Sequence, residues 1–525
     1  MKLQDAEAES FQAAVSNPAR PRLHEVWWWF AIGAILRVGF FLFGKSNGGD
    51  AFARAALTAG WLRHPALRLN FEPWLPLHFW LMAGMSILLR DPALGTRALS
   101  LVLGITSLWA LWSLTKEVYG SIPAVIALEI FALYSLHIGY STASSSEVPY
   151  LFFMLVGLLT FSVNRRTGSL VSLCISAILL GVAAGIRYEA WVCIFAVCVV
   201  IILIPGDSRR GLRGFRDLFL FGCISALWPV FWMAYQWAVF SRPLYGISMN
   251  YTWVPKQMAL VHRSMLYRFA LPPGVLLITF TPIVLAAAVY GLWIGLRRVR
   301  GREFAIVVAI MALAFGAQIA RGGLLPMARY TITLGTFACT AAGYGLERLI
   351  RLRSWIRPLH ARVAFGVLLA LNLLAIVALA EIPNAFQDKI AAVSPALPFP
   401  RHIELVGHYL KGHLTPTDSL VIDDYNVESN IVAAAVGLPL ISGDRAFLAS
   451  ERPISSLPQY LKQRQPDYII YSDHGVLRNA VPLPPGCSSM PTLIGRMDAS
   501  CVFQDDIYRV YRVSYHPGGG ALVNR

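Results

Sequence analysis

The strongest constraint on this chain is a succession of apolar runs, each about 17 to 23 residues long, the length at which a helix crosses roughly 30 Å of hydrocarbon. They occupy 26–43, 97–115, 121–138, 148–163, 169–186, 188–204, 217–238, 273–295, 304–320, 330–346 and 363–380. Only 14% of the 525 residues are charged and 56% are hydrophobic, whereas a soluble chain carries about 25% charge. The fold class expected is therefore a polytopic α-helical membrane protein with about eleven spans.

A net charge of +16 would suit nucleic acid if the charges formed one surface. Instead they sit in short clusters between apolar runs, at 164–166, 207–216, 295–303 and 347–362. Short Lys/Arg-rich loops stay on the cytoplasmic side, so the charge reads as topology and no nucleic-acid partner is expected. Arg20 and Arg22 place residues 1–25 inside as well, and the first run reads as a retained anchor rather than a signal peptide. The outward segments are then 44–96, 139–147, 239–272 and 321–329, with the turn near Arg187 on the same side. Parity also bears on the apolar stretch 74–90, which must lie along the surface or re-enter; Pro73, Pro76 and His78 fit an interfacial helix.

Beyond the membrane region 26–380, residues 381–525 change to a polar composition with isolated strand-like runs. "DSLVIDD" (418–424) and "PDYIIYSD" (466–473) read as strands, "NIVAAAVG" (430–437) as a helix, and the alternating "IYRVYRV" (507–513) as an edge strand. The tail is expected to be a small α/β domain outside the membrane. Cys487 and Cys501 are its two cysteines and natural disulfide partners in an external setting. The other five lie in or beside apolar runs and read as packing residues.

Chemistry is expected on the outward side. In "KSNGGDAFARA" (45–55), Asp50 follows the first span and reads either as an N-cap after a helix stop or as a carboxylate held at the lipid–water boundary. The same loop carries Glu72, Trp74 and His78 in "FEPWLPLHFW", and the next holds Glu147 directly before a span. Two carboxylates on one membrane face could act as a base and as an electrostatic or metal-binding partner. Arg187 in "GIRYEAW" and Arg329 in "MARYT" sit at outer span ends, where they could bind an anion or simply snorkel. Segment 239–272 offers Lys256, His262 and Arg263 among aromatics, as a lid or as an interfacial belt. Arg37 and Glu129 fall inside runs and are expected to pair with each other, or Arg37 to reach an interface.

Taken in order, "GGDAFARAALTAGWL", "EPWLPLHFWLMAG", "DPALGTRALSLVLG", "KEVYG", "SSSEVPYLFF", "GVAAGIRYEAW" and "ARYTITL" resemble the lipid-dependent glycosyltransferases of the GT-C superfamily. The likeness is to bacterial relatives of the protein O-mannosyltransferases and aminoarabinose transferases, over residues 26 to 346. It implies transfer of a sugar from a polyprenyl-phosphate carrier to a lipid, glycan or protein acceptor, with inversion, on the periplasmic face of a bacterial inner membrane. Asp50 would be the acceptor base and Glu147 the second acidic position, commonly Asp in that family. Arg187 and Arg329 would contact the lipid phosphate, with Tyr330, Glu72, His78, Lys256, His262 and Arg263 as further substrate-binding candidates. A divalent cation held by Asp50, Glu147 or Glu72 would be the sole cofactor; the altered "E-P-W-L-P-L" pattern weighs against that role for Glu72. A secondary transporter or flippase, and a scaffold whose outer domain binds a partner, are the competing readings.

Overall fold

The computed structural model describes residues 23–45, 51–63, 65, 74–204, 212–249, 251, 264–325, 327–352, 358–382, 384, 386–415, 417–423, 446–448, 459, 461, 463, 465–472, 475, 477–479, 483, 487, 492–494 and 497–515. The Asp50, Glu72, Lys256, His262 and Arg263 candidates, and the expected helix 430–437, lie outside the described residues.

The first helix, α1 (Leu23–Phe43), is followed by α2 (Ala51–Arg63) and α3 (Pro76–Leu89). At 14 residues α3 is about 21 Å long, shorter than the roughly 30 Å of a hydrocarbon core. Helix α4 (Pro92–Tyr119) starts where Asp91 caps it, accepting from the backbone N–H groups of Ala93 (2.8 Å) and Leu94 (3.0 Å), with Pro92 at its first position. Gly120, at φ 104°, makes the turn into α5 (Ser121–Ala132), a backbone conformation open to glycine and strained for other residues.

The run read as one span at 121–138 is two helices, α5 and α6 (Ser135–Tyr140), because the backbone leaves the helical path at Leu133 and Tyr134. That break exposes the carbonyls of Phe131 and Ala132, and Arg37 of α1 donates to both (3.3 and 3.4 Å). It also donates to the Gly33 carbonyl (2.8 Å) and lies 2.8 Å from His137 Nδ1. The expected Arg37–Glu129 pair is therefore replaced by a guanidinium capping a broken helix, and Glu129 packs against Gly366 instead.

The bundle continues through α7 (Glu147–Thr167), α8 (Leu170–Ile186), α9 (Glu189–Leu203), α10 (Leu212–Phe240), α11 (Met265–Gly295), α12 (Val299–Ala320), α13 (Ile332–Leu352) and α14 (Pro358–Glu381). Among the described residues seven helices are long and apolar enough to cross a membrane, and α3, α5, α8 and α9 are shorter apolar helices. Small residues set the closest packing. A Cβ on Gly291 of α11 would lie 2.0 Å from the Ala341 carbonyl oxygen of α13, and one on Gly345 would lie 2.0 Å from that of Ala287.

Polar contacts separate the two ends of the bundle. At one end Glu117 pairs with Arg166 (2.7 Å) and Arg300 (3.1 Å), and Arg165 with Glu303 (2.7 Å). At the other, Arg97 donates to the carbonyls of Thr142 (2.9 Å) and Phe41 (2.5 Å). The basic clusters 164–166 and 295–303 thus meet at the end opposite 139–147.

The outer region begins with α15 (Arg401–His413) and forms a six-stranded sheet from β1 (Leu420–Ile422), β2 (Ala446–Leu448), β3 (Tyr468–Ser472), β4 (Thr492–Ile494), β5 (Met497–Gln504) and β6 (Tyr508–Tyr515), in the order β2-β1-β3-β6-β5-β4. β1 pairs in parallel with β2 and β3; the remaining pairs are antiparallel. β6 is not an edge strand, because β3 and β5 flank it and its first four residues are buried. Alternation reports a strand, not the number of its neighbours. Cys487 and Cys501 form the expected disulfide, with Cα atoms 5.1 Å apart.

Candidate active site

The site lies at the Arg97 end of the bundle, where five elements deliver charged side chains. Glu147 is the first residue of α7, a position where a helix favours negative charge, and it is 2% exposed. Arg187 ends α8 in extended conformation and is aimed back toward α7. Its Nη1 donates to Glu147 Oε1 (2.7 Å) and Ser146 Oγ (3.0 Å), while Nε and Nη2 donate to Glu189 Oε1 (3.0 and 2.5 Å). Burial alone would lower the basicity of this guanidinium, but Glu189 and Glu147 outweigh it and hold its proton more tightly than usual.

Arg329 comes from a 3₁₀ turn (Ala328–Thr331) just before α13. Its Nε lies 3.9 Å from Glu147 Oε1 and its Nη2 is 3.4 Å from the Tyr330 hydroxyl. The Tyr330 ring lies beneath both guanidinium groups, 5.2 Å from Arg329 Cζ and 5.9 Å from Arg187 Cζ. The third cation, Arg54 of α2, rests over the Trp74 ring at 4.3 Å, with Nη1 3.4 Å from His78 Nδ1.

These groups surround a cavity of about 250 Å³. Arg54, Arg187, Arg329, Glu189 and Tyr330 face it, and Leu75, Ile186, Val192 and Leu334 give it apolar walls. Its described lining therefore presents three guanidinium groups against one carboxylate, which suits an anion with an apolar extension. Glu147 and His78 lie behind this lining: the first fixes Arg187 and balances Arg329, and the second backs Arg54.

The structure thus brings Glu147, Arg187, Arg329 and Tyr330 together as the sequence suggested, and places His78 beneath Arg54 rather than on the cavity wall. Two residues escaped the sequence reading. Arg54 lies four positions after Asp50 in a helix of small residues, and an arginine amid "AFARAALTAG" was the available signal. Glu189 lies two residues after Arg187, its closest ion-pair partner. Among the described residues no three His, Cys, Asp or Glu side chains gather as cation ligands, and Glu147 faces guanidinium groups instead of further oxygens. Asp50 and Glu72, the other two candidate cation ligands, lie outside the described residues.

A family model for dolichyl-phosphate-mannose-protein mannosyltransferases matches residues 64–234, roughly a third of the chain. ArnT from Cupriavidus metallidurans, solved bound to undecaprenyl phosphate, superposes with a TM-score of 0.59 at 14% identity, covering 92% of this chain and 97% of that one. The chain has the GT-C fold. The Archaeoglobus fulgidus oligosaccharyltransferase, solved with a tethered acceptor peptide, shares the fold at a TM-score of 0.51 and 11% identity, over 86% of this chain and 69% of that one. No curated protein sequence matches the chain. The GT-C fold accounts for the outer sheet as well as the bundle, since the likeness to ArnT covers nearly all of both chains.

Proposed function

We propose that this protein is an integral-membrane glycosyltransferase that moves a hexose or pentose from a polyprenyl-phosphate carrier to an acceptor hydroxyl or amine at the outer leaflet. The observation that carries the reading is the convergence of Arg54, Arg187 and Arg329 on one cavity at one end of an apolar bundle. A polyprenyl phosphate places its phosphate at headgroup depth with its chain in lipid, and this cavity sits where both parts find partners. The family match and the ArnT likeness, whose relative was solved with undecaprenyl phosphate, support the same carrier class.

When the glycosidic C–O bond breaks, negative charge grows on the leaving phosphate, and prepositioned guanidinium groups stabilise it without reorganising. Glu147 and Glu189 hold Arg187 in place for that task. Asp50 would orient or deprotonate the acceptor, whose oxygen or nitrogen attacks the anomeric carbon opposite the phosphate, giving inversion. The cavity would open to the periplasm of a bacterial inner membrane, opposite the basic loops.

Purified protein in lipid should transfer sugar from one member of a panel of polyprenyl-phosphate donors. Arg54→Ala should weaken binding of undecaprenyl phosphate by about 10- to 100-fold, the worth of one or two charge-assisted hydrogen bonds. Asp50→Asn should bind the lipid normally yet transfer at under about a hundredth of the rate, as expected for loss of a general base. Full transfer by Asp50→Asn would remove the base from the mechanism, and unaltered lipid binding by Arg54→Ala would remove the cavity.

A further inference from the structure

The segment joining α14 to the outer sheet is exposed in its first part and then turns inward at residue 393. Val393, Ser394, Pro395, Leu397 and Pro398 are all buried, and Val393 and Leu397 belong to the apolar core of the helical bundle rather than to that of the outer sheet. Leu397 has a φ of 44°, a left-handed conformation that a branched side chain adopts only when its surroundings impose it. Those surroundings are specific. The Leu397 N–H donates to the Ser394 carbonyl (3.2 Å). Its side chain fills the space above Gly139 of α6, where an added Cβ would lie 3.1 Å from Leu397 Cγ and 3.3 Å from Pro395 Cα.

On its other side the segment grips the loop that leads into α2. The Ala396 carbonyl accepts from the Lys45 N–H (3.1 Å), and Lys45 pairs with Glu404 of α15 and, at 3.9 Å, with Glu381. Phe399 lies 6.0 Å ring to ring from Phe52, which packs on the apolar core of the outer sheet. Helix α2 is thereby clamped. Phe52 is held by the outer domain, while Ala51 packs in the bundle core and Arg54, two positions after Phe52, reaches the cavity.

We propose that residues 393–399 are a positioning strap, with Leu397 as its pin, that sets the distance between α2 and the cluster of Glu147, Arg187 and Arg329. The strap touches both parts that deliver the site: Phe52, two residues before Arg54, and Gly139 of α6, which leads through 141–146 to Glu147. Through Phe399, which meets Phe52, any load on the outer domain is transmitted to α2 without that domain entering the cavity. None of residues 393–399 is among those lining the cavity. For its effect on turnover the proposal rests on the glycosyltransferase reading; for its effect on structure it does not.

The test is amide hydrogen exchange on full-length protein in lipid discs, comparing Leu397→Asp and the milder Leu397→Gly with wild type. Exchange over 51–63 should accelerate at least about tenfold in Leu397→Asp and less in Leu397→Gly, with 147–167 and 468–472 unchanged. Sugar transfer should fall in kcat in the same order, with Leu397→Met restoring both. Unchanged exchange over 51–63 overturns the proposal. So does an equal rise over 51–63, 92–119 and 147–167 in both variants, which would make Leu397 an ordinary core residue. If wild-type protein transfers no sugar from any donor while the selective exchange change is seen, the strap stands and the glycosyltransferase reading falls.

Discussion

The single guanidinium of Arg187 serves Ser146, Glu147 and Glu189, with all three contacts at 3.0 Å or less. Removing it leaves buried Glu147 with only the longer Arg329 contact (3.9 Å) and the part-exposed Glu189 without its Arg187 pair, and breaking a buried pair costs about 3–5 kcal/mol. Arg187→Ala should therefore both lower the midpoint of thermal unfolding in detergent and abolish transfer. Arg187→Lys should restore most of the stability and little of the activity, because an ammonium cannot bridge two carboxylates with the planar fork that Nε, Nη1 and Nη2 supply. Arg37 offers the contrast. It is fully buried and far in role from the cavity, bonded to the carbonyls of Gly33, Phe131 and Ala132. Arg37→Met should destabilise by about 2–4 kcal/mol, from exposed carbonyl acceptors and an unsupported His137, while leaving the KM for donor unchanged. Unfolding midpoints and donor titrations on the same preparations separate the two arginines.

At the scale of elements, the site depends on helix ends more than on helices. Glu147 opens α7, Arg187 closes α8 and Arg329 rides a single 3₁₀ turn before α13. Their relative positions are set by how closely the helices behind them pack. The α11–α13 contact is the tightest case, since Gly291 and Gly345 each meet a facing carbonyl with no room for a methyl group. Gly291→Ala should separate the pair and cost about 1–3 kcal/mol, the usual range for overpacking, and it should shift Arg329 with α13. The measurable outcome is a lowered unfolding midpoint together with weaker undecaprenyl phosphate binding; Gly316→Ala, where an added Cβ meets nothing, should alter neither.

For the whole molecule, the membrane bundle and the outer sheet have separate apolar cores that meet along the strap and Phe52. Reduction of the Cys487–Cys501 disulfide, which closes a loop of 14 residues, should remove about 3 kcal/mol from the sheet domain. Because that loop joins the β4–β5 side of the sheet, where Tyr409 of α15 stacks on Phe503 of β5 (5.0 Å between ring centroids), reduction should lower the sheet's own unfolding transition and leave the bundle's in place. Limited proteolysis with and without reductant, followed by mass analysis of the fragments, reports which part opens first.

The sequence alone determined the class of the molecule, since apolar runs and basic loops state directly what a bilayer requires: helices of sufficient length and cations on one side. It also marked Glu147, Arg187 and Arg329 as charges at span ends, because a charge beside hydrocarbon is costly enough to stand out in one dimension. Tertiary structure decided the partners. That Arg37 caps the break after Ala132 rather than joining Glu129, that Arg54 completes the cavity, and that β6 lies between two strands all depend on chain segments far apart in sequence. Periodicity and spacing report how one segment meets its solvent; which groups share a cavity follows from how helices pack side by side, and no single stretch of chain encodes that.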